Sequence, residues 1–380
     1  LEAEFTTAGI DKRRERGETM VRATGGFILA VFLVLALRPE AALSSCERQL
    51  VRFDNREKWF GDDSVWGVSY DEETHALYIK AWLSKKKSPW KRRGNHILRT
   101  NRVGGDYAHF VIPDDQSELD AVNGLGTDVA HPNIANTPQG KFLLFVTGGL
   151  HSSKRENSDI RVARLNEATK KWEIRGEDQL MLRYVNTEGL ETLPFMTDDG
   201  LTLYFTGDAN RPCAKGKCAC DSGWKYLAGT CFEQYKYVRH SFAEPFKPAA
   251  DGIQVLDTGR IRFPYLRNVK VGKKFYQEFS GMGALTLSKN GWAFFNGPGF
   301  PPKDWDRIYV ARWDGTKFVG GKEMRKINDI PGEGIKEKPE VIADGSGLYW
   351  SSGRTAISTK LYFLDLTKVQ DKEGLSDCTN

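Results

Sequence analysis

Beyond residue 64 the chain alternates between short apolar or aromatic runs and clusters of Asp, Asn, Gly and Lys. The runs are roughly 4–8 residues long and rich in β-branched and aromatic residues, which is the signature of strands. One unit returns five times: an apolar strand, a polar turn, then a strand dense in aromatics. It reads Val65–Tyr70, a turn at Asp71, then Leu77–Ile79. It reads Pro132–Ile134, Gly140, Phe142–Phe145, and again Pro194–Met196, Gly200, Leu203–Phe205. The last two copies are Ala284–Leu287, Gly291, Trp292–Phe295, and Pro339–Ile342, Gly345, Leu348–Trp350. Turn residues between two such runs make hairpins.

A third strand follows at Asp159–Arg164, Gln234–Arg239, Arg307–Arg312 and Lys360–Leu364. Trp172, Phe246 and Phe318 each open a fourth. Repeated four-stranded units at this spacing are the blades of a β-propeller. The expected fold class is therefore all-β, a five-bladed propeller over residues 45–380, with Phe263–Phe279 as a degenerate sixth blade in the alternative. Closure of the ring predicts that Leu50–Phe53 pairs beside Lys360–Asp365.

The apolar run Phe27–Leu37 precedes all of this. It is too short for a membrane span, which needs about 20 residues. With Met20 and Arg22 before it and Ala42-Leu43-Ser44 after it, the run reads as a secretory signal with Ser45 as the mature start. Residues 1–19 then form an upstream extension, and residues 1–44 stand outside the fold. Leu43-Ser44-Ser45-Cys46 also matches a lipoprotein cleavage box, which places a lipid anchor on Cys46 in the alternative.

All six cysteines lie beyond this leader, and an even count in an exported chain favours disulfides. Cys213, Cys218, Cys220 and Cys231 crowd into an insertion over 211–232 in blade three, with three pairings open and zinc as the other use. Cys46 and Cys378 sit at the two ends, where a bond between them would lock the ring.

Composition agrees with strands and tight turns: 38 Gly beside 10 Trp, 13 Tyr and 21 Phe. The net charge of +5 is too small to identify a nucleic-acid binder, and export argues against one. The charge is uneven, however. Lys85, Lys86, Lys87, Lys91, Arg92 and Arg93 fall in one hairpin loop of blade one, with Trp90 among them. This loop is a candidate site for an anionic polysaccharide or an acidic membrane surface.

The repeats resemble the WD-repeat-like propeller repeats of the TolB type, over roughly residues 60–366. The best copy is Thr197-Asp198-Asp199-Gly200-Leu201-Thr202-Leu203-Tyr204-Phe205. This resemblance implies the fold and a ligand- or protein-binding role at the channel face. The residues before each innermost strand would line its mouth. Those positions are polar: Asp62, Asp63, Asp128, His131, Glu188, Glu191, Glu278, Lys336 and Lys338. His131, Glu188, Lys336 and Lys338 are the candidate ligand contacts.

A carboxylate from each of three successive blades is similar to the five-bladed arabinanase- and xylosidase-type glycosidases. That resemblance implies Asp63 as base, Asp128 as the acid that tunes pKa, and Glu191 as general acid. Inverting hydrolysis uses two carboxyl groups about 6.5–9.5 Å apart, one protonated and one ionised. The flanking residues, Thr127-Asp128-Val129-Ala130-His131 and Gly189-Leu190-Glu191-Thr192-Leu193-Pro194, lack the Asp-Pro and Glu-Gly-Pro of that family. The binding role is therefore the leading expectation, hydrolysis the alternative. A Ca²⁺ in the channel is the further use of these carboxylates, and no other cofactor is expected.

Overall fold

The computed structural model describes residues 46–60, 65–126, 128–148, 158–186, 191–208, 232–238, 241, 253–255, 269–271, 274–276, 283–297, 307–315, 318–330, 335–353, 359–369 and 375–379. Residues 1–45 (the expected leader among them), the four cysteines of the 211–232 insertion, Phe246, and Asp62, Asp63, Glu188 and Glu278 lie outside the described residues.

The strands follow the repeats. β1 (Arg48–Leu50), β2 (Arg52–Asp54), β3 (Val65–Asp71), β4 (Ala76–Leu83), β5 (Gly94–Arg102) and β6 (His109–Val111) open the chain. Next come β7 (Val129–Thr137), β8 (Gly140–Thr147), β9 (Asp159–Asn166) and β10 (Lys171–Glu173). β11 (Glu191–Met196), β12 (Thr202–Asp208), β13 (Phe232–Val238) and β14 (Ile253–Val255) make a third group, followed by the short pair β15 (Val269–Val271) and β16 (Lys274–Tyr276). β17 (Gly283–Leu287), β18 (Trp292–Gly297), β19 (Arg307–Trp313) and β20 (Phe318–Glu323) precede β21 (Ile335–Val341), β22 (Gly347–Gly353) and β23 (Thr359–Asp365).

These strands form antiparallel sheets in the order β7 to β10, β11 to β14 and β17 to β20. The first sheet runs β3-β4-β5-β6-β2 and the last β21-β22-β23-β1. β15 and β16 pair only as a two-stranded sheet of their own. The innermost strands touch in a cycle, β3 to β7, β7 to β11, β11 to β17, β17 to β21, and β21 back to β3. This is a propeller arrangement.

The core is divided accordingly. Each apolar cluster among the described residues lies between two neighbouring sheets. Tyr78 and Ile97 of the first sheet meet Phe145 and Trp172 of the second. Phe142 and Ile160 of the second meet Leu203 and Phe205 of the third. Tyr204 meets Phe295 and Tyr309. The aromatics of the repeats are therefore the packing between sheets, where flat rings bury large area at fixed spacing.

Closure differs from the expected register. Arg48–Leu50, and not Leu50–Phe53, pairs with β23, with Arg48 opposite Leu364 and Leu50 opposite Tyr362. The chain then changes sheets at buried Val51. Its N–H donates to the Leu361 carbonyl at 2.9 Å, and the next N–H, of Arg52, donates to Ala108 at 2.8 Å. β2 thus lies parallel to β6 on the first sheet. One short segment straps the outer edges of the last and first sheets together.

The Cys46–Cys378 disulfide fastens the same place, with a Cα–Cα distance of 5.3 Å across 332 residues of chain. Both cysteines are buried. The Cys46 sulfur is committed to this bond, so it is unavailable for the thioether that a lipid anchor requires. That corrects the alternative anchor reading. Among the described residues no helix is long and apolar enough to cross a membrane.

A buried ion pair joins the first two sheets. Lys141 of β8 reaches Asp71 at the end of β3, with Nζ 2.8 and 3.1 Å from the carboxylate oxygens. Their side chains are only 5% and 1% exposed. Thr74 Oγ1 and the Glu73 N–H also donate to Asp71, which satisfies the remaining lone pairs.

Two outcomes follow for stability. Replacing Cys46 and Cys378 by Ser should lower unfolding stability by about 2–5 kcal/mol, read in urea titrations, because the open chain gains loop entropy. Lys141→Met should cost about 3–5 kcal/mol by leaving Asp71 buried without its partner. The double variant Asp71→Leu/Lys141→Met should recover most of that loss.

Candidate functional site

The five innermost strands share one local feature. Each carries a register shift against its neighbour: between Trp66 and Val68, Ala130 and Asn133, Thr192 and Phe195, Gly283 and Thr286, and Glu337 and Glu340. Each shift contains one residue in the left-handed region: Gly67, His131, Leu193, Ala284 and Lys338, with φ of 56, 54, 53, 45 and 54°. These are β-bulges, in which one extra residue leaves the ladder and re-aims its side chain. Four of the five are not glycine, and each such residue costs about 1–2 kcal/mol.

All five bulge residues line one cavity, together with the residues that follow them and Glu340. The cavity offers about 30 Å³ to water-sized occupants, room for one or two waters and too little for a sugar ring.

The position two residues past each bulge links the ring. Ser69 Oγ accepts the N–H of Ile134 at 2.8 Å, and Asn133 Oδ1 accepts that of Met196 at 2.9 Å. Thr286 Oγ1 accepts that of Val341 at 3.3 Å. Glu340 accepts the N–H of Tyr70 and so joins the last sheet to the first. Its carboxyl also receives Ser69 Oγ–H at 2.9 Å and the Thr286 hydroxyl. Phe195 holds the remaining position and has no acceptor to offer Leu287.

Glu340 is partly exposed by area, yet protein packs closely round its carboxyl. Burial pushes its pKa up to about 8, against the pull of the bonds from Ser69, Tyr70 and Thr286. At neutral pH the acid form dominates.

The opposite, turn-bearing end of the innermost strands carries ions. Lys289 Nζ lies 3.1 Å from Asp198 of the adjoining sheet and 3.6 Å from Glu72 of the first sheet, which is not its neighbour in the cycle. The Glu72 carboxylate also accepts the Asp344 N–H at 2.9 Å. These contacts tie four sheets around the axis.

The sequence-derived residues fall into different settings. His131 and Lys338 meet at the axial cavity, and Lys338 Nζ stands 5.5 Å from the Trp66 ring. Buried Lys80 approaches the same ring at 4.2 Å. Lys336 is buried within β21. Glu191 is fully buried at the start of β11. Its N–H donates to the Ser158 carbonyl at 2.9 Å, and its carbonyl receives Ser158 Oγ–H at 2.8 Å.

Asp128 is an anchor. Its carboxylate accepts the Asn95 N–H at 3.2 Å, Asn95 Nδ2 at 3.1 Å and Arg92 Nη1 at 3.3 Å. A side chain at Gly94 would stand 2.3 Å from Asp128 Oδ1, so only glycine allows this approach.

Glu340 was missed as a site residue. Its signal was present, because it is the one charged residue at a repeat position otherwise held by Ser69, Asn133, Phe195 and Thr286. The cavity does not fit Ca²⁺, which takes six to eight oxygens. Its described walls supply one carboxyl, an imidazole and an ammonium. Among the described residues no three His, Cys, Asp or Glu converge as a metal site.

The basic loop between β4 and β5 is folded down rather than free. Consecutive turns close at Lys87 N to Ser84 O, 3.1 Å, and Lys91 N to Ser88 O, 3.0 Å. Trp90 stacks on His96 at 5.1 Å and donates Nε1–H to Asp120 at 3.0 Å. Burial holds the His96 imidazole down to about 4, so the ring is neutral, bonded to the Gly94 carbonyl at 2.9 Å. Arg93 lies over Trp82 at 4.8 Å, and Lys87 Nζ donates to the Glu57 carbonyl at 2.7 Å.

Glu340 yields a pH test. A carboxyl raised from 4.5 to about 8 destabilises the fold progressively as pH rises through that window. Unfolding stability of the protein should therefore fall from pH 5 to pH 8. Glu340→Gln should flatten that slope and gain several kcal/mol, roughly, at pH 8. An unchanged slope would sink the assignment.

No family model matches the chain, and no curated protein matches it. Solved structures do. TolB from Acinetobacter baumannii is similar over 79% of this chain and 54% of its own, at 11% identity and TM-score 0.38. The chain thus spans about half the length of that protein. An exo-1,5-alpha-L-arabinanase from a bovine ruminal metagenomic library is similar over 82% of this chain and 94% of its own, at 13% identity and TM-score 0.45. The Bacillus subtilis arabinanase Arb43A is similar over 80% and 94%, at 12% identity and TM-score 0.43. Both resemblances read from the repeats, TolB and the arabinanase propellers, thus have counterparts among solved structures.

Proposed function

We propose that this chain is an exported five-bladed β-propeller that binds a carbohydrate or protein ligand on its channel face. One observation carries the reading: five bulged inner strands turn their left-handed residues onto one axial cavity, four of them at a steric cost. Strain of this kind clusters at ligand sites, where it aims side chains. The cavity is too small for the ligand itself. The ligand sits above it, contacting His131 and Lys338, with Glu188 from the adjoining segment and Lys336 supporting from within β21. The buried Cys46–Cys378 bond supports an oxidising, extracytoplasmic compartment.

The competing reading is hydrolysis by Asp63, Asp128 and Glu191. It asks Asp128 to tune its neighbours while its carboxylate already serves three donors from the first sheet. That commitment favours binding.

Calorimetric titration with soluble arabinan and xylan, beside turnover assays on arylglycosides, separates the two. Saturable binding without turnover is expected. His131→Asn, which keeps a residue tolerant of left-handed backbone, should weaken that binding about tenfold. Turnover abolished by Glu191→Gln and Asp63→Asn would overturn the binding reading in favour of the hydrolase.

A further inference from the structure

The loop between β4 and β5 carries a charge that the channel does not use. Lys85, Lys86 and Lys91 are exposed, and none of their ammonium groups forms an ion pair or hydrogen bond among the described contacts. The nearby acids are engaged elsewhere: Asp120 holds the Trp90 indole and Asp128 holds Arg92 and Asn95. The cations are therefore not neutralised by their surroundings.

They are also held in place. Two turns, the Trp90–His96 stack, the Arg92–Asp128 pair and the Lys87–Glu57 contact fix the loop at several points. A loop whose backbone is already fixed loses little loop freedom on meeting an anion, and preorganisation of this kind favours affinity. Lys91 adds a further sign. It sits at φ 52°, where glycine would be relaxed, so the loop carries a lysine at a steric cost.

We propose that this loop is a second binding site, a rigid cationic ledge for an anionic polysaccharide carrying sulfate or carboxylate groups along its length. A membrane surface fits less well. Loops that dock on bilayers pair basic residues with apolar side chains that enter the interface. Here the large apolar side chain of the loop, Trp90, is turned inward onto His96 and bonded to Asp120. The ledge stands independently of the channel reading, because none of its residues lines the axial cavity.

The test uses heparin as the probe and the full chain as the protein. Binding is measured by titration at low and physiological salt. The triple variant Lys85→Ser/Lys86→Ser/Lys91→Gly removes the exposed cations, leaves Arg92, Arg93 and Trp90 in place, and relaxes the Lys91 backbone. It should keep its thermal midpoint and bind heparin on the order of 100-fold more weakly, at about fivefold per lysine. A matched control, Lys170→Ser/Lys322→Ser/Lys368→Ser, removes equal charge elsewhere and should bind as the parent does. Equal losses in both variants would show a net-charge effect and overturn the ledge. So would retention of the parent affinity in the loop variant. Tighter binding to phosphatidylserine vesicles or to a DNA duplex than to heparin, lost in the loop variant, would replace the polysaccharide with that partner.

Discussion

A ring of sheets has no single core. Each sheet is buried only by the faces of its two neighbours, so the stability of every sheet depends on the ring being shut. In this chain the seam lies between the last sheet and the first, and it is fastened at several depths. At the axis Glu340 receives Ser69 and the Tyr70 N–H. Further out, Tyr349 stacks on Tyr70 at 5.9 Å and packs against Phe363 at 4.9 Å, while its hydroxyl donates to the Tyr107 carbonyl at 2.9 Å. At the rim the segment around Val51 straps both outer edges, and Cys46–Cys378 fixes the start of that strap. Gly347 belongs to this seam, since a side chain there would stand 2.3 Å from the Phe363 ring.

The seam also explains why a carboxyl sits where other copies of the repeat place neutral groups. Ser69, Asn133 and Thr286 each accept one backbone N–H from the next sheet. Glu340 accepts one N–H and two hydroxyls, and so ties three sheets at once. Its burial favours the uncharged form, so at neutral pH the fold bears the cost of taking up a proton and not that of a buried anion. Near the same axis, Lys289 spans sheets that are not neighbours, so polar contacts brace the centre that apolar packing cannot fill.

Much of this was legible because the repeats are dictated by local chemistry. A Pro or apolar pair, a Gly or Asp turn and an aromatic run fix strand, hairpin and packing face without reference to anything distant. Gly140, Gly200, Gly291 and Gly345 all adopt positive φ, as their turns require. His131 and Lys338 were found as rim residues because they are polar and stand at the start of the innermost strands. The bulges were not legible. Leu193, Ala284, His131 and Lys338 carry no glycine signal, and their left-handed backbone is imposed by packing round the axis. The closing register was offset because Val51 turns into the core and sends Arg52–Asp54 to the other sheet.

The sequence by itself determined the class of fold and the places of most strands, because those follow from local period and turn chemistry, while the terminal cysteines were paired by the closed ring. Only the tertiary structure decided what the candidate residues do. Asp128 is held by an arginine 36 positions earlier, Glu340 bonds across 271 positions to Ser69, and Trp90 and His96 turn a run of basic residues into a fixed ledge. Such roles depend on which groups meet in space, and a closed ring brings together residues that lie far apart along the chain.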